Sequence, residues 1–264
     1  MVNKIFKSLA LIIISALLIC ALSGCTKKEE TTNVENTSSS SENVVENTTE
    51  KKSDKVRVVD TIDYKAAAEK QFAEPQKGDT IAIIHVEKYG DIKVRFFADK
   101  APKAVENFTT LAKRGYYDGV IFHRVINEFM IQGGDPEGTG YGGESMWGEG
   151  FGPELDYELV PYRGSLCMAM SSQPNSIGSQ FFITQANYDK EQDDYLRKAN
   201  YPAKLMDEYK KYGGYLSLYL QYTVFGQVYE GMDVVDAIAK VETNPENDKP
   251  LEDIVIKSIE VKEF

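Results

Sequence analysis

The sequence predicts a mostly β domain with two core helices, beginning near Gly78, and three observations carry that prediction. Apolar residues recur with a two-residue period in short runs bounded by turn residues. Two core stretches, and a third in a polar stretch, switch to helix with helix start and stop signals. Between Gly133 and Gly152, nine of twenty residues are glycine, which forbids regular structure and admits close backbone approach.

Taken in order, Ile81–Val86 and Ile92–Phe97 read as strands around the turn Tyr89-Gly90-Asp91. Helix follows from Pro102, which suits a first helical position. Ala101, Val105, Phe108, Leu111 and Ala112 then recur at three and four residues, and Gly115 offers a left-handed cap. Next, Val120, Phe122 and Arg124 fall on one face of a predicted strand that breaks at Asn127-Glu128. Phe129, Met130 and Gln132 arrive within five residues of that break. The glycine-rich stretch invites a phosphate-cradle reading. It lacks Gly-Lys-Ser/Thr and carries Asp135, Glu137, Glu144 and Glu149, so a shaped loop is expected, with Trp147 packed in it. Strands are expected at Gly164–Met170, Gln180–Thr184, Tyr222–Val228 and Ile254–Val261, and a second helix at Met232–Val241. Pro202 to Gly214 reads as a short helix within a polar stretch.

Ahead of the domain lie three other segments. Lys4 and Lys7 precede an apolar run from Leu9 to Leu22, and Leu22-Ser23-Gly24-Cys25 follows. The run is shorter than the ~20 residues of a spanning helix. It resembles a bacterial lipoprotein signal over residues 1–24, with Cys25 lipidated. An ordinary secretory signal and a membrane anchor are the alternatives. Residues 25–55, rich in Ser, Thr, Asn and Glu and free of aromatics, cannot bury enough surface to fold, and are expected to form a disordered tether. Residues 56–78 mix apolar and charged positions and are expected to be a short extension or helix. The domain proper is set at 79–264.

Charge and cysteines exclude several classes. The 264-residue chain carries 30 Lys+Arg and 41 Asp+Glu; loss of residues 1–24 removes Lys4 and Lys7 and leaves a net −13. That argues against nucleic acid as a partner. Of three cysteines, Cys20 would leave with the signal and Cys25 would carry lipid, so Cys167 remains as a small buried hydrophobe. His85 and His123, without a cysteine cluster, make no metal site, and no cofactor is expected.

Two segments, Phe122-His123-Arg124 through Phe129-Met130-Ile131-Gln132-Gly133-Gly134-Asp135 and Met168 through Ile183, stand in the order and spacing of the cyclophilin-type peptidyl-prolyl isomerases. The resemblance spans about 79–264, less a helical insertion near 189–214. It implies a closed eight-stranded antiparallel barrel capped by two helices, whose interior is filled by side chains and whose site lies on the outer wall. By the same resemblance, Arg124 is the donor to the twisted amide and Gln132 orients it. Phe129, Met130, Phe182 and Leu218 form a proline pocket, Gln180 joins the network, and the backbone at Ala169, Met170 and Ser171 pairs with substrate. Spacing there differs by one residue from the compact pattern, which leaves side chains in 170–173 open. His123 is assigned a structural role and Phe181 a place in the core.

The chain also departs from the family. Tyr222 stands where a histidine is common. Ser217-Leu218 falls at a usual Trp-Leu, with Tyr215 and Tyr219 as other candidates for the tryptophan's place. The expected protein is a monomeric, lipid-anchored isomerase on the extracytoplasmic side of the cell membrane, acting on proline-containing polypeptides. A non-catalytic peptide-binding chaperone using the same groove is the alternative. A solute-binding transporter subunit would need two α/β lobes, which the pattern lacks.

Overall fold

The computed structural model describes residues 57–264; the signal, Cys25 and the tether lie outside them. An N-terminal 3-10 turn (Val58–Thr61) and helix α1 (Tyr64–Gln71) precede the hairpin β1 (Thr80–Val86) and β2 (Gly90–Phe96). Helix α2 (Pro102–Lys113) leads to β3 (Arg124–Ile126), β4 (Met130–Gly133), β5 (Ser165–Met168) and β6 (Phe181–Thr184). Helices α3 (Lys190–Lys198) and α4 (Ala203–Tyr212) and a 3-10 turn (Leu216–Leu218) come next, then β7 (Val224–Glu230), α5 (Met232–Ala239) and β8 (Ile256–Glu263).

All strand pairs are antiparallel, and the strands form one sheet in the order β3-β4-β6-β5-β7-β2-β1-β8. One face of every strand enters a single apolar core: Ile84 from β1, Val94 from β2, Val125, Ile131, Leu166, Phe181, Phe225 and Ile259 all meet there. Convergence of eight strands on one cluster requires a curled sheet. Full closure was expected, but the ladder stays open between β3 and β8. The seam is spanned by Ile121, which makes single bridges to Asp135 and Val255, and by hydrogen bonds from Gly119 and Phe122 to Ile256 and Ile254. Both expected core helices, α2 and α5, bury apolar faces in this core. α2 starts at Pro102, with its free N–H groups at Lys103 and Ala104 accepted by the Glu154 carboxylate at 3.1 and 2.9 Å. It ends at Gly115, left-handed at φ 70°.

Where single-helix content was expected after Asn187, two helices form. α3 is so polar, with Asp193 and Leu196 its only buried residues, that no apolar period announces it. With α1 they build a second apolar cluster around Tyr64, Ala68, Leu205, Met206, Tyr209 and Tyr219. Segment 57–78 is thus packed into the domain. Gln71 is its polar anchor: Nε2 donates to the Val160 carbonyl at 2.8 Å, Ser165 Oγ at 3.0 Å and Gln227 Oε1 at 3.1 Å, while Oε1 accepts the Val160 N–H at 3.1 Å. Gln71→Ala would strand these buried groups. It is expected to cost about 2–3 kcal/mol and to lower the unfolding midpoint by roughly 4–12 °C in a calorimetric scan.

Candidate active site

The outer face of the sheet carries its own row. Register places Arg124 opposite Gln132, Gln132 opposite Phe182, Phe182 opposite Cys167, and Cys167 opposite Val224, so five strands contribute one line of side chains. Around it lies an apolar cluster of Phe97, Met130, Leu159, Cys167, Phe182 and Val224, with Phe129, Ala169, Leu218 and Tyr222 half-buried against it. Tyr222 meets Phe182 edge to face, ring centroids 5.5 Å apart. The expected pocket residues Phe129, Met130, Phe182, Leu218 and Tyr222 therefore come together. Phe97, Leu159, Cys167 and Val224 join them unannounced, because each sits in an apolar run with nothing to tell its outer face from the core.

The polar side is ordered by a relay of amides. Asp135 is fully buried; its carboxylate accepts the N–H groups of Glu137, Thr139, Gly140 and Gly142 at 2.9, 2.9, 2.6 and 3.3 Å. Burial pushes its pKa up, yet these four bonds outweigh that and hold it below the ordinary carboxylate range. The glycine-rich loop thus spends its amides on an internal anion, a second reason against a phosphate cradle. So folded, the loop aims the Gly142 carbonyl at Gln180 Nε2, 2.8 Å away. Gln180 Oε1 must then face Gln132, whose Nε2 donates to it at 2.9 Å. Among the described residues, the Gln132 side-chain carbonyl oxygen has no hydrogen-bond partner.

Arg124 stands across from Gln132, with its side chain 38% exposed and its Nε 3.3 Å from Asp248 Oδ2. Asp248 was not foreseen: it lies 124 positions away in a turn with no motif of its own.

Several assignments change. Phe122 and Arg124 do not share a face, since Phe122 enters the inner core while Arg124 belongs to the outer row. The extended pairing starts only at Arg124, so strict alternation cannot be carried back through His123. Of the expected substrate-pairing segment, β5 stops at Met168. Ala169 joins the outer cluster, Met170 packs against the inner core, and exposed Ser171 already donates its N–H to Ser176 Oγ at 3.0 Å. Trp147 is 45% exposed, touching Phe151 edge to face, rather than packed away.

At the rim, the Tyr215 ring lies tilted by 46° against Phe129, with centroids 4.3 Å apart. Tyr219 turns to the second cluster, hydrogen-bonding Tyr64 at 3.1 Å. Gly214 (φ 108°) delivers Tyr215; a Cβ there would strike the Pro161 carbonyl. The inserted helices thus end by placing an aromatic ring on the pocket.

His123 is buried at 5% exposure, against Gly140, and neither ring nitrogen has a hydrogen-bond partner. Burial lowers its pKa below the ordinary 6.5; Asp135 opposes this, while Arg124 and Lys249 reinforce it. A lowered folded-state pKa means the unfolded chain binds the proton more readily, so stability is complete above about pH 6.5 and is lost as pH falls below it. His123→Gln should flatten denaturant-measured stability as pH falls below about 6.5; an unchanged slope would assign the pH dependence to other groups.

The sequence model of the cyclophilin-type peptidyl-prolyl cis-trans isomerases matches residues 81–261. A Staphylococcus aureus (strain USA300) protein, named provisionally as a peptidyl-prolyl cis-trans isomerase, is 46% identical over 191 residues, covering 72% of this chain and 95% of its own. A Streptococcus pyogenes protein, named provisionally as a bifunctional phosphatase and isomerase of this type, is 49% identical over 178 residues, 66% of this chain and 37% of its own. Among solved structures, the cyclophilin-type isomerase of Cryptosporidium parvum superposes with a TM-score of 0.57 at 34% identity, over 70% of this chain and 99% of its own. The same protein has been solved in the presence of the dipeptide Ala-Pro (TM-score 0.56, 35% identity).

Proposed function

The chain belongs to the cyclophilin-type peptidyl-prolyl cis-trans isomerases, and from that premise we propose that it isomerises Xaa-Pro bonds of exported polypeptides while tethered by lipid at Cys25. The observation that carries the catalytic part is the outer row, in which a guanidinium, an oriented amide and an apolar slot lie on adjacent strands.

Such a site suits the reaction. The Xaa-Pro amide resists rotation because it is conjugated, and the uncatalysed change takes tens to hundreds of seconds. No bond is made or broken, so the site need only bind the twisted amide better than the planar one. Twisting localises the nitrogen lone pair, to which Arg124 donates. Arginine stays charged at any working pH and offers a planar fork. Met130, Phe182 and Phe129 hold the proline ring, and Gln132 supplies a free carbonyl oxygen. A coupled proline-peptide assay on the full chain separates this reading from a peptide-binding chaperone. Tight peptide binding without turnover would favour the chaperone.

Export and anchoring rest on the sequence pattern around Leu22-Ser23-Gly24-Cys25. Among the described residues, no helix is long and apolar enough to cross a membrane, and an N-terminal lipid would supply the attachment. A single acyl chain binds marginally, so more than one is required. In fractionated cells, Cys25→Ala is expected to release the protein from the membrane or leave the signal uncut. A wild-type mature terminus found elsewhere by mass spectrometry would sink this assignment.

A further inference from the structure

The turn between α5 and β8 closes on itself through Asn244 N–H to the Lys249 carbonyl (2.8 Å) and Asp248 N–H to the Asn244 carbonyl (2.9 Å). Asp248 sits in it at φ 60°, a left-handed conformation that asparagine and aspartate tolerate better than most residues. From there it grips two consecutive residues of β3. Its backbone carbonyl accepts the Val125 N–H at 2.9 Å, on the edge of the sheet where no further strand does so. Its carboxylate accepts the Arg124 Nε–H at 3.3 Å.

We propose that Asp248 is a positioning residue for the isomerase: it holds the Arg124 guanidinium by Nε and leaves both terminal amino groups for the twisted amide. The inference rests on the reading of Arg124 as the donor. An arginine this exposed otherwise samples many rotamers, and each must be given up on reaching the transition state. Holding it by Nε removes that loss before substrate arrives. The same carboxylate has an opposing effect, since it partly neutralises the cation whose hydrogen bond does the work. A pair this exposed is well screened by water, so the geometric effect prevails. Nor is the ion pair needed for folding, because the backbone bond to Val125 survives side-chain replacement.

The two effects separate by substitution. Asp248→Gly removes the carboxylate without strain at the left-handed position. Asp248→Asn keeps an acceptor oxygen and drops the charge. Asn247→Ala removes a bond of the same turn, from the Lys249 N–H to Asn247 Oδ1 at 3.2 Å, without touching Arg124. Activity is measured on the full chain with a proline peptide, separating kcat from KM, with thermal unfolding alongside. Asp248→Gly should lower kcat about fivefold with KM within about twofold, and Asp248→Asn should recover to within about twofold of the parent. In an Arg124→Ala background, Asp248→Gly should change kcat/KM by less than about twofold, because the route runs through Arg124. Parent-like kcat in Asp248→Gly overturns the proposal. So does an undiminished effect without Arg124, or an equal loss in folded Asn247→Ala. Parent-like activity in Arg124→Ala alone would remove the donor reading and the clasp with it; a slow Arg124→Ala beside a fast Asp248→Gly removes the clasp only.

Discussion

Arg124→Ala should lower kcat/KM on a proline peptide at least roughly tenfold, about 1.4 kcal/mol of transition-state stabilisation, while the protein stays folded. The expectation follows from where the side chain stands. It leads the outer row of the sheet, opposite Gln132 and two strands from Phe182, and its side chain is partly open to solvent. Its ion pair is with Asp248, and the two side chains are 38% and 40% exposed. Pairs this open contribute under about 1 kcal/mol to stability, so unfolding should be nearly unchanged. Arg124→Lys sharpens the test. It keeps the charge and loses the planar fork, and should recover only part of the activity if the fork sets the geometry. If the site works by differential binding, the loss should fall on kcat more than on KM. Activity within twofold of the parent in a well-folded Arg124→Ala protein would remove Arg124 from the mechanism.

Residues that the row needs were legible where they sit together in the sequence. Arg124, Phe129, Met130 and Gln132 belong to one short segment, and Gln180 and Phe182 to another, so pattern and register agree. What could not be read joins distant parts of the chain. Asp248 reaches Arg124 from a turn whose only visible signals are turn signals, and Tyr215 reaches Phe129 across the inserted helices. Neither pairing leaves a period. The strand rule failed at Phe122, which lies before the start of β3, where the two-residue period no longer binds side chains to a face. It held past the end of β5, where Met170 follows Leu166 and Met168 onto the inner core. The open seam was equally hidden, because Ile121 spans it through isolated bridges rather than a strand. Trp147 illustrates the opposite error. A lone large aromatic in a glycine-rich loop invites burial, but the residues of this loop that pack into the core are Met146 and Phe151, and Trp147 rests half-exposed against Phe151.

The second large effect concerns two adjacent phenylalanines that β6 sends to opposite faces. Phe181 is fully buried in the inner core, where it meets Phe108, Tyr117 and Phe122 edge to face at centroid distances of 5.2, 5.6 and 6.2 Å. Phe182 belongs to the outer cluster beneath Tyr222. Phe181→Ala empties a site whose neighbours come from α2, the segment before β3 and the loop after α2, elements that cannot all collapse into one gap. The cost should be about 3–5 kcal/mol, seen as a fall of roughly 6–20 °C in the unfolding midpoint. Activity per folded molecule should be close to the parent's, since no atom of Phe181 reaches the outer face. Phe182→Leu reverses the pattern. It keeps most of the volume and should cost under about 1.5 kcal/mol in stability. It removes the aromatic contact with Tyr222; with Phe182 in the proposed proline slot, KM should rise several-fold while kcat changes less, because such a slot would hold the ring in both planar and twisted states. A Phe181→Ala protein that melts with the parent would mean the core is looser than its contacts imply. A Phe182→Leu protein with unchanged KM would place the proline slot elsewhere on the wall.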